Sequence, residues 1–345
     1  MLAGMEGRRA VSIKDVARAA GVSTTTVSHA LNDKGRLPAS TREHVRKVAD
    51  DLGYLPSAIA RGLVSGRTGV LGLAVSVPGP VSDSFASIQY FAQVINGATA
   101  AATARGYALV VVPADGNGEV WRRVAVDGAV VVDPVTGDLN PDAIRGQGLP
   151  VVTIALEPDR TEPGWCVDDE TDRSIALVMD HLVEQGARHP AVLTWEWHDA
   201  FTDGSIAAYR RWCADRSLEP HVVEIETTDL ATAFETADRR AAELVDDVAA
   251  HDAVFALYEP LGAIVLRAAA ERGIAVPAEL LVAAARDTGI GRTTLPTLTV
   301  LEFQPDRLGA EAVGLLIDRL ETPAMEATTR IVPSLLTVGG STARS

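Results

Sequence analysis

Residues Val11 to Leu31, reading Val-Ser-Ile-Lys-Asp-Val-Ala-Arg-Ala-Ala-Gly-Val-Ser-Thr-Thr-Thr-Val-Ser-His-Ala-Leu, constrain this chain more than any other stretch, because they spell two short helices around a glycine turn. Apolar Ile13, Val16, Ala17 and Ala20 recur at helical spacing, Gly21 supplies the turn, and Ser23 is a good cap for a second helix over Thr24 to Leu31. This is helix-turn-helix grammar, in which the second helix enters the major groove and the residues near its start meet base edges. Thr24, Thr25 and His29 are then the candidate base readers, while Val27 and Ala30 face a small core. An ordinary αα-hairpin within a larger core shares the pattern, but the next segment argues against it. Ser40-Thr41-Arg42-Glu43 reads as a capping box that opens a third helix through Val45, Val48 and Leu52, ending at Gly53. Pro56 then starts a short segment that carries Ala60 and Leu63 ahead of Gly66.

Over residues 11 to 67 these motifs resemble the LacI/GalR family of bacterial transcription repressors. The resemblance implies base contacts from Thr24, Thr25 and His29, contacts to the DNA backbone from Ser23, Thr26, Asn32 and Thr41, and a hinge helix that enters the minor groove with Ala60 and Leu63. Leu63 matches the family's intercalating leucine; two such side chains from a dimer can wedge apart a central base step, at a cost of roughly a few kcal/mol offset by added contacts. The alternative for Leu63 is an ordinary core leucine.

Charge divides the chain in the same place. Residues 1 to 67 hold 11 Lys and Arg against 6 Asp and Glu, a net of +5, so that with −15 overall the remaining 278 residues carry −20. A basic end seeks phosphate, and an acidic body is repelled by it, which leaves DNA binding to the head and hinge. Cys166 and Cys213 give neither a disulfide framework nor a zinc spacing and read as buried thiols of a reducing compartment. Met1 to Ala10 lacks an apolar stretch of signal-peptide length and reads as a loose arm. With no apolar run of about 18 residues in the chain, the expectation is a cytoplasmic protein without membrane contact.

From Gly69 onward apolar strands alternate with helical stretches. Strands are expected over 70–77, 108–113, 128–132 and 150–155, with a helix over 88–105. A second series follows: helix 174–185, strand 191–195, helix 206–216, strand 222–225, helix 231–248, strand 253–257, helix 261–272 and strand 280–284. Continuous Val-rich strands imply doubly wound parallel sheets with helices on both faces, here in two lobes. Ligands of open parallel sheets bind beyond the carboxyl ends of the strands, so two facing lobes place a small molecule in the crevice between them. The short spacing from Gly106 to Val126 suggests one trimmed crossover helix.

The family resemblance extends here, since its members carry a periplasmic-binding-protein-like, two-lobed sensor behind the hinge. It rests on Val126-Asp127-Gly128-Ala129-Val130-Val131-Val132, on His181-Leu182-Val183-Glu184-Gln185-Gly186-Ala187-Arg188-His189, on Leu295-Pro296-Thr297-Leu298-Thr299-Val300, and on Asp306-Arg307-Leu308-Gly309. It implies an arm over 1–10, an all-α head over 11–55, a hinge over 56–67 and an α/β sensor over 68–345. Within the sensor, one lobe takes about 68–165 and 300–325 and the other about 166–299 and 326–341. Departures concern the ligand. Ser205 stands where the family commonly places an arginine that grips ligand, a role no hydroxyl fills in kind, and Tyr258-Glu259 stands in place of an Asn-Asp pair. Asp287 keeps the acidic position, while Trp195 and Trp197 occupy a strand end that is usually Gly/Pro-rich, where they can stack on a ligand or plug the crevice.

An enzyme fits poorly. All three lysines, Lys14, Lys34 and Lys47, lie in the head, so the body has no P-loop or Schiff-base lysine, and the seven histidines form no metal spacing. The expectation is a homodimeric repressor without metal or cofactor, which binds a pseudo-palindromic operator and is switched by a sugar-like or nucleobase-like effector. A regulator that has lost effector sensing is the alternative, and an enzyme using the crevice the more remote one.

Overall fold

The computed structural model describes residues 11–31, 35–54, 67–76, 89–112, 118–158, 160–162, 164–226, 230–286 and 289–343. The chain falls into two units, Met1–Thr68 and Gly69–Ser345.

In the first unit α1 (Ile13–Ala20), α2 (Thr24–Leu31) and α3 (Ala39–Asp51) enclose a core of Val16, Ala17, Ala20, Val27, Ala30, Val45 and Ala49. Gly21 ends α1 at φ +66, a left-handed position that only glycine adopts without strain, and so turns the chain into α2. The capping box expected at Ser40 to Glu43 is not what opens α3. That helix starts at Ala39, after Pro38. A box forms instead on α1, where the Asp15 carboxylate accepts from Ser12 N at 3.0 Å and Ser12 Oγ at 2.6 Å. Leu52 lies past the end of α3 on the exposed side, and Ala49 takes the core position in its place.

The second unit holds two sheets of six strands. The elements in order are β1 (Val70–Val75), α4 (Gln89–Ala104), β2 (Ala108–Val111), β3 (Ala129–Val132), α5 (Asn140–Arg145), β4 (Val151–Ile154), β5 (Trp165–Asp168), α6 (Thr171–Glu184), β6 (Pro190–Trp195), α7 (Ala200–Asp215), β7 (His221–Ile225), α8 (Leu230–Asp246), β8 (Ala253–Ala256), α9 (Glu259–Arg272), β9 (Leu281–Ala285), β10 (Thr299–Glu302), α10 (Pro305–Glu321), β11 (Thr329–Ile331) and β12 (Leu335–Thr337). The first sheet runs β11-β5-β4-β3-β1-β2 and is parallel throughout. The second runs β12-β10-β9-β8-β6-β7, parallel except for β12. The central strands β3, β4, β8 and β9 are buried along their whole length, which explains their unbroken Val and Ala runs.

Between β2 and β3 the only helical piece among the described residues is a single 3₁₀ turn, Glu119–Arg122, whose Trp121 is fully buried and fills the space a longer crossover helix would cover. The chain passes from lobe to lobe after β5, after β10 and after β11. These crossings fall a few residues later than the expected breaks near 165, 299 and 325, because the short strands that precede them belong to the lobe being left. Helix α10 returns to the first lobe and crosses α4 at backbone contact: a Cβ on Gly97 would strike the Asp306 carbonyl, and one on Gly309 the Val94 carbonyl. Helix α7 begins at Ala200 rather than near 206. Asp199 caps it by accepting from Thr202 N at 2.6 Å, which brings Phe201, Thr202 and Ser205 onto its buried face.

Candidate DNA-reading head and inter-lobe crevice

In the head, Ser23 Oγ accepts from Thr26 N at 3.1 Å and lies 2.9 Å from Thr26 Oγ1, so both hydroxyls are engaged in starting α2. Thr24 and Thr25 follow the cap and are exposed. His29, a turn further on, is half-buried with its ring against Gly35, close enough that a Cβ there would lie 2.7 Å from Nδ1. Thr41 is half-buried within α3. Asn32, Ala60 and Leu63 lie outside the described residues.

In the larger unit the carboxyl ends of the strands meet where the lobes face each other. Five non-glycine residues there adopt positive φ: Asp133 after β3 (49°), Ala155 after β4 (70°), Glu170 after β5 (53°), Arg286 after β9 (57°) and Gln304 after β10 (50°). Such backbone persists only where the surroundings fix it, and it concentrates at functional sites. Two of them, Asp133 and Arg286, one from each lobe, are joined: Arg286 donates to Asp133 Oδ2 at 2.6 Å, and both are almost wholly buried. The guanidinium carbon stands 3.9 Å from the Phe201 ring centre and 4.2 Å from that of Tyr90, with Tyr258 at 5.6 Å and Phe91 at 5.8 Å. Burial is the largest influence on Arg286 and opposes its charge, but Asp133 and the other groups around it together outweigh that and keep the guanidinium protonated. Beside the pair, burial pushes the Asp199 carboxyl up to about 6 against the pull of Arg286.

The residues expected to line a ligand pocket divide. Trp195, Trp197 and Tyr258 do come together: the two indoles stack with centres 6.2 Å apart, and Trp197 meets Tyr258 edge-on at 4.9 Å. Tyr258 also contacts Phe201 and donates to, or accepts from, Thr202 Oγ1 at 2.8 Å. Trp195 is buried and closed off further by Phe234 at 5.5 Å. Ser205 is buried and its Oγ has no hydrogen-bond partner among the described residues. Asp287 lies outside the described residues. An open cavity of about 690 Å³ flanks the crevice, lined by Thr153, Leu156, Arg160 and Asp168 and, across from them, Asp203 and Gly204; Trp195, Trp197, Ser205 and Tyr258 are not among its described walls. Asp133 and Arg286 were not legible as site residues in advance. The available signal was a charge directly after each of two all-apolar strands, Val130 to Val132 and Leu280 to Ala285.

Among the described residues no group of His, Cys, Asp or Glu is placed to hold a metal ion, and no helix is long and apolar enough to cross a membrane. Cys166 and Cys213 are free and buried, and burial raises the thiol of Cys166 to about 12.

A three-helix head with a reading helix, followed by a two-lobed α/β unit with a crevice at its strand ends, defines a DNA-binding regulator with an attached sensor. Residues 12–57 match the family described as "Bacterial regulatory proteins, lacI family", and residues 179–342 match "Periplasmic binding protein-like domain". The chain thus carries a LacI-family DNA-binding domain followed by a periplasmic-binding-protein-like domain. It is 27% identical over 322 residues to the HTH-type transcriptional repressor PurR of Vibrio campbellii, covering 90% of this chain and 92% of that protein. It is 27% identical over 347 residues to PurR of Erwinia tasmaniensis, covering 94% and 95%. Among solved structures its fold matches the lac repressor dimer bound to operator and the anti-inducer ONPF, with TM-score 0.76, 20% identity and coverage of 97% of this chain and 100% of that one. It also matches the transcriptional regulator CelR in complex with cellobiose, with TM-score 0.70, 23% identity and coverage of 96% and 99%.

Proposed function

We propose that this protein is a sequence-specific DNA-binding transcriptional repressor, acting in the cytoplasm as a homodimer on a pseudo-palindromic operator, with a small molecule between the sensor lobes as its switch. The observation that carries the reading is the head: a capped second helix with exposed Thr24 and Thr25 at its start, on a basic unit attached to an acidic body. In this reading Thr24, Thr25 and His29 read bases, the threonines through methyl contact to thymine and His29 through a hydrogen bond to a guanine edge. Ser23, Thr26, Asn32 and Thr41 contact the backbone, and Ala60 with Leu63 enter the minor groove. The protein is a regulator and not an enzyme, and it uses no metal or cofactor. Similarity to a lac repressor bound to operator and an anti-inducer, and to a transcriptional regulator in complex with cellobiose, supports both the DNA and the small-molecule parts.

The test is fluorescence anisotropy of the purified protein on the DNA upstream of its own gene, at fixed near-physiological salt, with Leu63→Ala as control. Tight binding that discriminates against random DNA and is weakened in the control supports the reading. Equal affinity for random DNA refutes it.

A further inference from the structure

The crevice between the lobes already contains a cation, and the chain supplies it. Arg286 leaves the end of β9 in the second lobe and reaches Asp133 at the end of β3 in the first, so the 2.6 Å bond spans the gap. The rings around the guanidinium come from both sides as well: Tyr90 from α4 of the first lobe, Phe201 and Tyr258 from the second. A flat cation held between ring faces and a buried carboxylate is the arrangement by which proteins bind guanidinium and quaternary ammonium ligands. Next to it the lobes are also stitched through the backbone, by a bridge between Val135 and Asp199 and by Ala200 N donating to the Pro134 carbonyl at 3.2 Å. Packing for stability alone fits this centre badly, since Arg286 Nε is buried without a partner among the described residues and both members of the pair are held at positive φ.

We propose that Arg286 is a built-in occupant of the crevice, which holds the two lobes together with no small molecule bound, so that an effector enters only by displacing it and must itself carry a flat cation of the guanidinium or amidinium type. This rests on the crevice being the effector site of the proposed repressor. A neutral sugar has no group to take over Asp133, whereas a free guanidinium can replace both the ion pair and the ring contacts.

The experiment uses full-length protein, the variants Arg286→Ala and Asp133→Asn/Arg286→Ala, and ethylguanidinium chloride as probe with sodium chloride and ethylammonium chloride as controls. Arg286→Ala is expected to melt at lower temperature and scatter as a larger particle than wild type. Ethylguanidinium is expected to restore most of both losses in a saturable way; ethylammonium is not, and the double variant should not respond. Unchanged compactness in Arg286→Ala, or rescue no better than by salt, overturns the proposal. If that variant does not fold, hydrogen exchange at the Ala200 amide of ligand-free wild type decides: slow exchange supports the latch and fast exchange overturns it. Operator binding measured on the same samples separates the two readings, because a protein that ignores operator yet shows slow Ala200 exchange and ethylguanidinium rescue keeps the latch and loses the repressor.

Discussion

Trp121 and Asn140 meet inside the first lobe, where the indole Nε1 donates to Oδ1 at 2.9 Å with both side chains buried. The bond ties the 3₁₀ turn before β3 to the start of α5, and Asp138 fixes the amide in turn by accepting from Asn140 Nδ2 at 2.8 Å. Asn140→Ala strands the indole N–H in an apolar site and is expected to cost about 1–3 kcal/mol. Urea denaturation of Asn140→Ala, Trp121→Phe and the double variant checks this: the two losses should add to more than the double variant shows, because Phe has no donor to strand.

Asp169 lies half-buried beside Asp168, and its carboxyl is pushed up to about 7, first by its partial removal from water and then by the neighbouring charge. A carboxylate harder to ionise in the folded than in the unfolded chain gives stability that is present below its unfolded pKa, about 3.9, and lost as the pH rises through the folded value. Asp169→Asn keeps an acceptor for Thr171 Oγ1, now 2.9 Å away, and removes the charge. Melting temperatures between pH 4 and pH 8 should show the variant ahead of wild type at the alkaline end, with the gap closing toward the acid end.

The orphaned hydroxyl of Ser205 makes a simpler case. Burying an unpaired hydroxyl costs roughly 1–3 kcal/mol on the scale of protein variants, so Ser205→Ala should be neutral or stabilising by about 1 kcal/mol. A measured loss of stability would show that the hydroxyl has a partner in solution.

How far the sequence could be read depended on whether an element carries its own signal. Ser23 announced α2 to the residue, since a cap is local chemistry, and the central strands announced themselves by length and apolarity. Strands β5, β11 and β12 did not, being three or four residues long, partly exposed and recognisable only by their neighbours in the sheets. The start of α7, six residues ahead of the expected one, was not legible, with Gly204 lying inside it, although Asp199 is an ordinary N-cap. The aromatic half of the crevice was legible because Trp195 and Trp197 are conspicuous. Its charged half was not, because Asp133 and Arg286 are 153 residues apart and only the closing of the lobes joins them.

In the head, His29→Ala is expected to weaken operator binding by about 1–3 kcal/mol through one base pair of each half-site. Anisotropy against a panel of single-base operator variants should show wild type discriminating at that position and the variant indifferent there. A loss spread evenly over the panel would assign His29 to positioning, in keeping with its ring lying against Gly35.

The glycine crossing of α4 with α10 also sets an order on how the molecule can be made. Helix α4 is synthesised early, yet its partner begins at Pro305, and the first sheet gains its last strand only at Ile331. The second sheet waits longer still, for Thr337. Neither lobe can therefore mature on its own while the ribosome is still at work: both stay open on one flank until β11 and β12 emerge, and the small head, whose three helices enclose a core of their own, can be finished first.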